Sequence, residues 1–429
     1  MARNQMFHPD HEPLRNRLDL QLDDNKINGP FSFLNPTEAH FDHVARKSSA
    51  ESGTSEDIKD QSPQPTTIQD TQPASHIGYR WRSRDNRKGR HALVVDTSEA
   101  AIAKYTTPPP TNSVKEIFRT ISRMCTYYPV WDVSYLVAVT FTWGSVIWVI
   151  NAFFALLPFT NPKTEFPTEV LFGGGITAFM GATVFEIGSV LLMLEAINEN
   201  RVGCFGWALE QVYSEHVGHG SAERGVTCVS PAACTHHHSN KKNLVGNAAV
   251  TSGEKGPATN TDGTPPGGDS WVWWPSWHEL RTHYLRDLGF LACFSQTFGA
   301  TVFWISGFTA LPGIYNHLGP TRVLNGVYWV PQVVGGIFFV ISGLLFTLET
   351  QKHWWQPAPG VLGWHIGVWN LIGGLGFTLC PIFGFSVVHW RLYQASCSTF
   401  WGSWAFLIGS LIQLYESLDK HPVEVTKKP

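Results

Sequence analysis

The stretch GATVFEIGSVLLMLE, from Gly181 to Glu195, decides the fold because the same pattern of residues occurs twice more in the chain. Each copy begins with glycine, has phenylalanine four residues later and two small residues at seven and eight, and ends with glutamate. The other copies are GGIFFVISGLLFTLE, from Gly335 to Glu349, and GSWAFLIGSLIQLYE, from Gly402 to Glu416. A pattern that recurs in this way predicts an architecture of repeated units.

A second apolar segment precedes each copy and runs from a glycine to a proline. These segments cover 144–158, 299–312 and 367–381. The repeated unit is therefore a helical hairpin. We predict an all-α membrane protein with six transmembrane helices, arranged as three hairpin repeats.

Runs without charged residues locate the helices. Residues 133–162, 288–321, 323–348, 354–390 and 392–415 contain no Asp, Glu, Lys or Arg, and 170–194 contains only Glu186. Because a bilayer core requires roughly 20 apolar residues in a helix, each run is long enough to cross it. The predicted spans lie near 133–158, 171–194, 288–312, 327–348, 361–383 and 399–417.

Basic residues beside the spans predict the orientation. Ten flank one face of the predicted bundle and three flank the other, and cytosolic loops carry the excess of Lys and Arg. Both termini and the 200–275 loop are then cytosolic, and the three repeat glutamates lie at cytosolic helix ends. The hairpins are therefore parallel, related by an axis along the membrane normal.

The polar segments complete the predicted domain organisation. Residues 1–112 have few large apolar residues, and the 200–275 loop is rich in Gly, Ser, Thr and Asn, which indicates disorder. The formal net charge of −3 and the motifs present give no reason to expect a nucleic-acid partner. The predicted segments are a disordered cytosolic arm (1–112), an amphipathic interfacial helix (113–126), three hairpins (127–199, 276–352 and 353–418), a disordered cytosolic loop (200–275) and a cytosolic tail (419–429).

Two polar stretches allow more than one interpretation. Tyr79 to Arg90, YRWRSRDNRKGR, carries six basic residues that either contact anionic lipid or stay solvated and disordered. The loop contains His216, His219, Cys228, Cys234 and 236–238, all histidine, which are ligand types for zinc. Their spacing is not that of a zinc finger or ribbon, so we predict a linker with no metal and no cofactor.

Small residues along the repeat predict close helix packing. Positions seven apart on an α-helix differ by only about 20°, so the leading glycine, the small residue seven later and the glutamate share one stripe. Small residues let helices in a membrane approach closely. The predicted packing positions are Gly181, Gly188, Gly335, Gly343, Gly402 and Gly409.

The repeat glutamates Glu195, Glu349 and Glu416 have two interpretations. In one, they meet on a threefold axis and attract cations at the cytosolic mouth. In the other, each pairs with a base beside its own helix, such as Lys352 or Lys420, and fixes the helix end. The second interpretation is favoured, because cations near a helix C-terminus offset the dipole that disfavours an anion there.

Glu186 lies near the middle of the second predicted span. A carboxylate at that depth costs a few kcal/mol on insertion scales and normally faces a partner or a wet cavity. The candidate polar partners on neighbouring spans are Asn151 and Asn370. The sequence leaves open whether this group serves function or interhelical hydrogen bonding.

Two strings resemble known membrane proteins. WHIGVWNLIGGLGFTLCPIFGF, from Trp364 to Phe385, and WGSWAFLIGSLIQLYESL, from Trp401 to Leu418, resemble multi-pass membrane proteins of filamentous fungi that have no assigned activity. The second string is also similar, more weakly, to the bacterial YrhK-like membrane domain. The resemblance covers the six spans, implies a membrane location and supplies no catalytic residues.

Three functions follow as hypotheses. Parallel repeats, glycine-rich spans and Glu186 favour a permease or channel component for a small solute or ion. The scarcity of polar residues in the spans favours a structural or accessory protein that presents cytosolic segments to partners. An enzyme is not expected, since the sequence shows no His-box, no paired Asp motif and no nucleophile with a base.

Overall fold

The computed structural model describes residues 6–7, 13, 20–43, 77–90, 92–96, 105–106, 110–217, 246–247 and 271–426. The helices are α1 (Ser83–Arg87), α2 (Val114–Thr126), α3 (Val133–Thr160), α4 (Gly175–Ile197), α5 (Phe205–Val217), α6 (Trp277–Thr282), α7 (Leu288–Thr309), α8 (Pro312–Tyr315), α9 (Thr321–Leu324), α10 (Val330–Glu349), α11 (Leu362–Gly384) and α12 (His389–Leu418). The strands are β1 (Leu20–Leu22), β2 (Glu38–His43), β3 (Ile77–Arg82), β4 (Ala92–Asp96), β5 (Tyr105–Thr106), β6 (Gly246–Asn247) and β7 (Val423–Thr426).

The predicted all-α, six-span class is confirmed. Among the described residues, six helical segments are long and apolar enough to cross a membrane. π-helical turns at Glu169–Gly174 and Asn325–Trp329 lead into α4 and α10. The chain is a multi-pass integral membrane protein whose spans cover Val133–Thr160, Glu169–Ile197, Leu288–Thr309, Thr321–Glu349, Leu362–Gly384 and His389–Leu418.

The six spanning helices form a closed ring. Each packs against the next one in the chain, in the order α3, α4, α7, α10, α11 and α12, and α12 returns to pack against α3. Aromatic side chains from all six helices fill the centre of the ring. We call this set the aromatic layer; it consists of Trp148, Phe185, Phe303, Phe339, Phe377 and Phe406.

Glycines make room for this layer within each hairpin. A Cβ atom on Gly181 would lie 2.9 Å from the Trp148 ring, and one on Gly335 would lie 2.7 Å from Phe303. In the third hairpin, a Cβ on Gly373 would lie 2.7 Å from the Phe406 ring. Close approach of a glycine to a residue of the aromatic layer therefore recurs in all three hairpins.

The start of the third predicted repeat unit requires a correction. The glycine-to-proline segment predicts a start at Gly367, but a Cβ there would meet Thr347, at 2.6 Å, near the glutamate end of α10. Gly373 occupies the position facing the aromatic layer, and Phe377 follows it by four residues as Trp148 follows Gly144. The distance to Pro381 does not identify the equivalent glycine, because α11 is rich in glycine.

The predicted packing glycines differ in how tightly they pack. A Cβ on Gly343 would come within 2.5 Å of the Leu371 backbone, and one on Gly402 within 3.1 Å of Gly376. At Gly188 and Gly409 the nearest atoms would be 3.3 Å away, on Phe141 and Trp369 respectively. Larger side chains therefore meet the greatest obstruction in the second hairpin.

The prediction that residues 1–112 are disordered throughout is wrong. Strands from this segment form one sheet in the order β1, β2, β3, β4 and β7, with β4 and β7 parallel and the other pairs antiparallel. The tail predicted at 419–429 supplies β7. Strand pairing between distant segments is poorly visible in sequence, because the partner provides most of the stabilisation.

The helices outside the membrane follow their capping residues. The Ser113 hydroxyl accepts from the Glu116 amide at the start of α2, whose apolar side chains Val114, Phe118 and Ile121 are exposed, as in an interfacial helix. Within the loop predicted as disordered at 200–275, the chain forms α5. His219, Cys228, Cys234 and 236–238 lie outside the described residues.

Candidate functional site along the axis of the ring

The three repeat glutamates lie buried at one end of the ring. Glu195, Glu349 and Glu416 stand at the C-terminal ends of α4, α10 and α12 and expose 0%, 3% and 1% of their surface. Helix α1 and the turn after it meet all three. We call residues 83–90 the basic cap.

Two arginines of the cap hold two of the glutamates through paired hydrogen bonds. Arg84 donates from Nε and Nη2 to Glu416 at 3.1 and 2.7 Å. Arg87 donates from Nη1 and Nη2 to Glu349 at 2.7 and 3.0 Å. Burial alone would lower the pKa of Arg87, but the charge of Glu349 outweighs it and holds that pKa well above its ordinary value. Bidentate pairing fixes orientation as well as charge.

The third glutamate is held more loosely. The Glu195 carboxylate lies 3.5 Å from Lys88 Nζ and 3.6 Å from Arg87 Nε, and neither carboxylate oxygen has a hydrogen bond in the described structure. Burial lowers the pKa of the Lys88 amine, and the charges of Glu195 and Glu416 offset this only in part. The cap therefore neutralises all three glutamates, with the poorest geometry at Glu195.

Glycines on two spanning helices leave space for the arginines. A Cβ on Gly289, in the first turn of α7, would overlap Arg87 Nη1 and Glu349. One on Gly363, in the first turn of α11, would lie 2.5 Å from Arg84 Cδ. Within the cap, Gly89 has a φ of +61°, a conformation that favours glycine. The docked position of the cap thus depends on small residues in both partners.

The interpretation that each repeat glutamate pairs with the base beside its own helix is not what the structure shows. Lys420 bonds Asp132 at 2.9 Å and the Lys88 carbonyl at 2.8 Å. Lys352 lies 4.0 Å from Glu38 in the sheet. The three glutamates do lie close together, but the basic side chains that pair with them come from the N-terminal arm.

Neither interpretation of the basic segment anticipated this contact. The segment contacts the end of the helix ring, with Arg84, Arg87 and Lys88 exposed by 5%, 2% and 1%. One signal was available in the sequence. These three cations lie at i, i+3 and i+4, so a helix places them on one face, and their number matches that of the glutamates.

A polar cavity of about 130 Å³ lies beside the cap, lined by Asn86, Glu199, His283 and Asp287 among others. Asn86 donates to Glu199 at 2.6 Å, and Ser83 donates to Asp287 at 3.1 Å. Burial lowers the pKa of His283, but its contact with Glu199 outweighs that and raises it above the ordinary value. Burial, with the charges of Glu199 and Glu349, raises the pKa of Asp287 to about 6.

Directly beneath the cap is an inner cavity of about 30 Å³. Arg84, Arg87 and Lys88 of the cap line it, together with the amides of Gln296, Asn370 and Gln413. This volume holds roughly one water molecule. The predicted polar residue Asn370 therefore lies on the axis, on the cap side of the aromatic layer.

The aromatic layer closes the ring below the inner cavity. The ring centroids of Trp148, Phe303 and Phe377 lie 4.9, 5.7 and 5.7 Å apart in their three pairs. Phe185, Phe339 and Phe406 pack around them at similar spacings. Aromatic pairs at these distances are in direct contact, so a solute cannot pass without movement of these rings.

On the far side of the layer is an outer cavity of about 400 Å³. All six spanning helices, α8 and both π-helical turns contribute to its wall, and Trp148, Phe303 and Phe377 form its floor. Asn151, predicted as a polar candidate, lines it and donates to the Gly174 carbonyl at 2.7 Å and to Thr177 Oγ1 at 3.0 Å. Pockets of this volume commonly bind small organic molecules.

Glu186 lines neither the inner cavity nor the outer cavity. Its Oε1 accepts a hydrogen bond from Thr301 of α7 at 2.9 Å, and Ser189 donates to Oε2 at 3.4 Å. Beside it, Trp304 donates to Thr183 across the same pair of helices. Neither Asn151 nor Asn370 bonds to Glu186 in the described structure. Glu186 therefore belongs to a polar seam between α4 and α7, and its functional role stays a prediction.

Comparison with protein-family models, curated proteins and solved structures finds no match to this chain. The resemblance to fungal multi-pass membrane proteins and to the YrhK-like domain therefore stays a prediction. The site rests on its own geometry: an outer cavity, a closed aromatic layer, an inner cavity and a basic cap along one axis.

Proposed function

We propose that this protein is a membrane permease for a small solute, which crosses along the axis of the helix ring. The outer cavity is the observation that carries the proposal. It is enclosed by all six spanning helices and is large enough for a small organic molecule. Such central cavities, formed where repeated helices meet, are where many transporters bind their solutes.

The other features of the axis supply two barriers. The aromatic layer separates the outer cavity from the inner one, and the basic cap covers the inner cavity. A permease must open its two sides in turn, so both barriers have to move during a cycle. In this proposal the described structure is the state closed at the cap, and the excess of basic residues on that face favours a cytosolic position for the cap.

A flux assay tests the proposal. The full chain would be reconstituted into vesicles, and uptake of uncharged solutes of increasing size, from glycerol to phenyl glucoside, would be compared with empty vesicles. We expect saturable uptake of part of this series. Ala155→Trp, which adds a large ring one turn beyond Asn151 in the outer cavity, should abolish that uptake.

Ile150→Trp is the matched control. It adds the same ring to the same helix, but Ile150 is 45% exposed and faces away from the axis. Uptake unaffected by Ala155→Trp would overturn the axial route. If neither the wild type nor a variant with a weakened cap, Glu349→Leu, moves any solute, a structural role that presents the cytosolic sheet to partners is favoured instead.

A further inference from the structure

We infer that the outer cavity binds an uncharged ring compound that carries a hydroxyl or carbonyl group. The inference rests on the proposed function, because it names the class of solute that the permease would carry. It also stands as a binding site without transport.

The residues that line the outer cavity require a ligand without net charge. None of the described residues that line the outer cavity is Asp, Glu, Lys or Arg. Transferring an ion into such surroundings without a partner costs far more than a single hydrogen bond returns. A solute with a net charge is therefore excluded at this depth.

The aromatic floor and sides of the outer cavity favour a ligand that contains a ring. Trp148, Phe303 and Phe377 close the bottom, and Phe159, Tyr315, Tyr328 and Trp329 line the sides. Flat or compact rings gain from edge and offset contacts with such side chains beyond the area they bury. A flexible polar chain of similar volume would lose hydration here without equivalent contacts.

Asn151 and Ser396 each present a polar atom that has no hydrogen-bond partner among the described residues, and these two side chains define the polar end of the ligand. Asn151 is 7% exposed and lines the cavity; its amide nitrogen donates two hydrogen bonds within the protein, and its Oδ1 accepts none from the described residues, so Oδ1 is available as an acceptor. Ser396 is 8% exposed, lines the cavity, and has no hydrogen bond in the described structure. A ligand hydroxyl can donate to Asn151 and accept from Ser396, and a ligand carbonyl can accept from Ser396.

Two sources could deliver this chemistry. A dissolved aromatic alcohol would enter from the aqueous side, and a sterol, which also joins a ring system to one hydroxyl, would enter from the bilayer. The size of the cavity does not separate them. A binding experiment with one probe from each source does.

The experiment uses the full chain in lipid nanodiscs and equilibrium dialysis, corrected with empty nanodiscs. The probes share one ring and differ in charge: 2-phenylethanol, phenylacetate and 2-phenylethylammonium. We expect saturable binding of 2-phenylethanol and at least tenfold weaker binding of both ions. Cholesterol in the nanodisc should compete with 2-phenylethanol if the bilayer is the source, and should leave it unchanged if the ligand is dissolved.

Ser396→Ala and Ser398→Ala form the matched pair of variants. Both serines are buried on α12, but Ser398 donates to the Gln394 carbonyl at 2.8 Å and does not line the outer cavity. Ser396→Ala should weaken 2-phenylethanol binding about 3- to 10-fold, the loss expected for one hydrogen bond, and Ser398→Ala should leave it unchanged. Ser396→Phe should abolish binding by filling the space.

Three results would overturn the inference: equal binding of the charged probes, equal effects of the two serine variants, or no saturable binding of either 2-phenylethanol or cholesterol. Failure of the permease proposal gives a different pattern. In that case 2-phenylethanol or cholesterol binds with the expected dependence on Ser396, while the flux assay shows no transport. A third pattern is uptake that Ala155→Trp abolishes, with no binding of these ring compounds. In that case the permease proposal would stand and the proposed ligand class would be wrong.

Discussion

Replacing Glu349 with leucine should undock the basic cap. The wild-type Glu349 carboxylate receives both Nη1 and Nη2 of Arg87, at 2.7 and 3.0 Å, and the Ser83 hydroxyl at 3.1 Å. In the variant, the carboxylate that still lies within 4 Å of Arg87 among the described residues is that of Glu195, 3.6 Å from Nε. Removing one partner from a buried ion pair costs about 3–5 kcal/mol, because the other charge stays desolvated.

In the variant, the cap can leave the end of the ring, and this movement relieves most of the desolvation penalty. Once the cap leaves, Arg87 regains water, so the cost appears as a larger undocked population rather than as unfolding of the ring. A loss of about 3 kcal/mol multiplies that population roughly 150-fold. The change should therefore be visible in any measurement of access to the inner end of the ring.

The native thiol of Cys293 provides that measurement. It is fully buried on α7, one helical turn beyond Gly289, which adjoins Arg87. Peptide-resolved labelling with a membrane-impermeant maleimide should modify Cys293 about 100-fold faster or more in Glu349→Leu than in the wild type. The double variant Arg87→Leu with Glu349→Leu should recover most of the protection, since it leaves no unpaired charge.

Glu424→Gln is the control, because Glu424 also pairs with two arginines, Arg80 and Arg82, but is 31% exposed. Exposed pairs contribute about 0–1 kcal/mol, so labelling should change by less than about fivefold. If Glu349→Leu and Glu424→Gln label Cys293 at the same rate, the account of the cap as an electrostatically held lid is wrong.

The remaining predictions concern packing, pH, orientation and the polar seam. Gly289→Ala should destabilise the protein by about 1–3 kcal/mol through overlap with Arg87, whereas Gly313→Ala, in open space, should be neutral in thermal unfolding. Asp287→Asn should raise the midpoint of thermal unfolding at pH 7.5, because the pKa of Asp287 in the folded protein, about 6, lies above the ordinary 3.8. The gain in midpoint should shrink as the pH falls below 6 and vanish near pH 4. A gain that does not depend on pH would contradict this. The exposed thiol of Cys125 should react from the cytosolic side only, and labelling from the other side would reverse the topology. Glu186→Gln should leave flux and stability near those of the wild type, and Glu186→Leu should lower stability by losing the Thr301 hydrogen bond, as thermal unfolding would show.

Much of the axis could be inferred from local sequence because its residues recur at helical spacing. The aromatic residue four positions after a glycine, as in Gly181 with Phe185, and the closing glutamate are visible without any tertiary information. Asn151 and Asn370 were identified as polar candidates, and both line axial cavities. Ser396 was missed, because a serine near a helix end carries no signal until its surroundings are known.

The sequence by itself determined the number of spans, their approximate positions and the location of the three glutamates at helix ends, since charge-free length and helical periodicity are local properties; the sixth span nevertheless begins ten residues before the predicted start, at His389. Only the tertiary structure decided what the glutamates bind. Arg84 and Glu416 are 332 residues apart in sequence, and Arg87 and Glu349 are 262 apart. A buried ion pair forms only where two surfaces pack against each other and exclude water. The composition of the N-terminal arm shows that it is polar, but it does not show which surface the arm packs against.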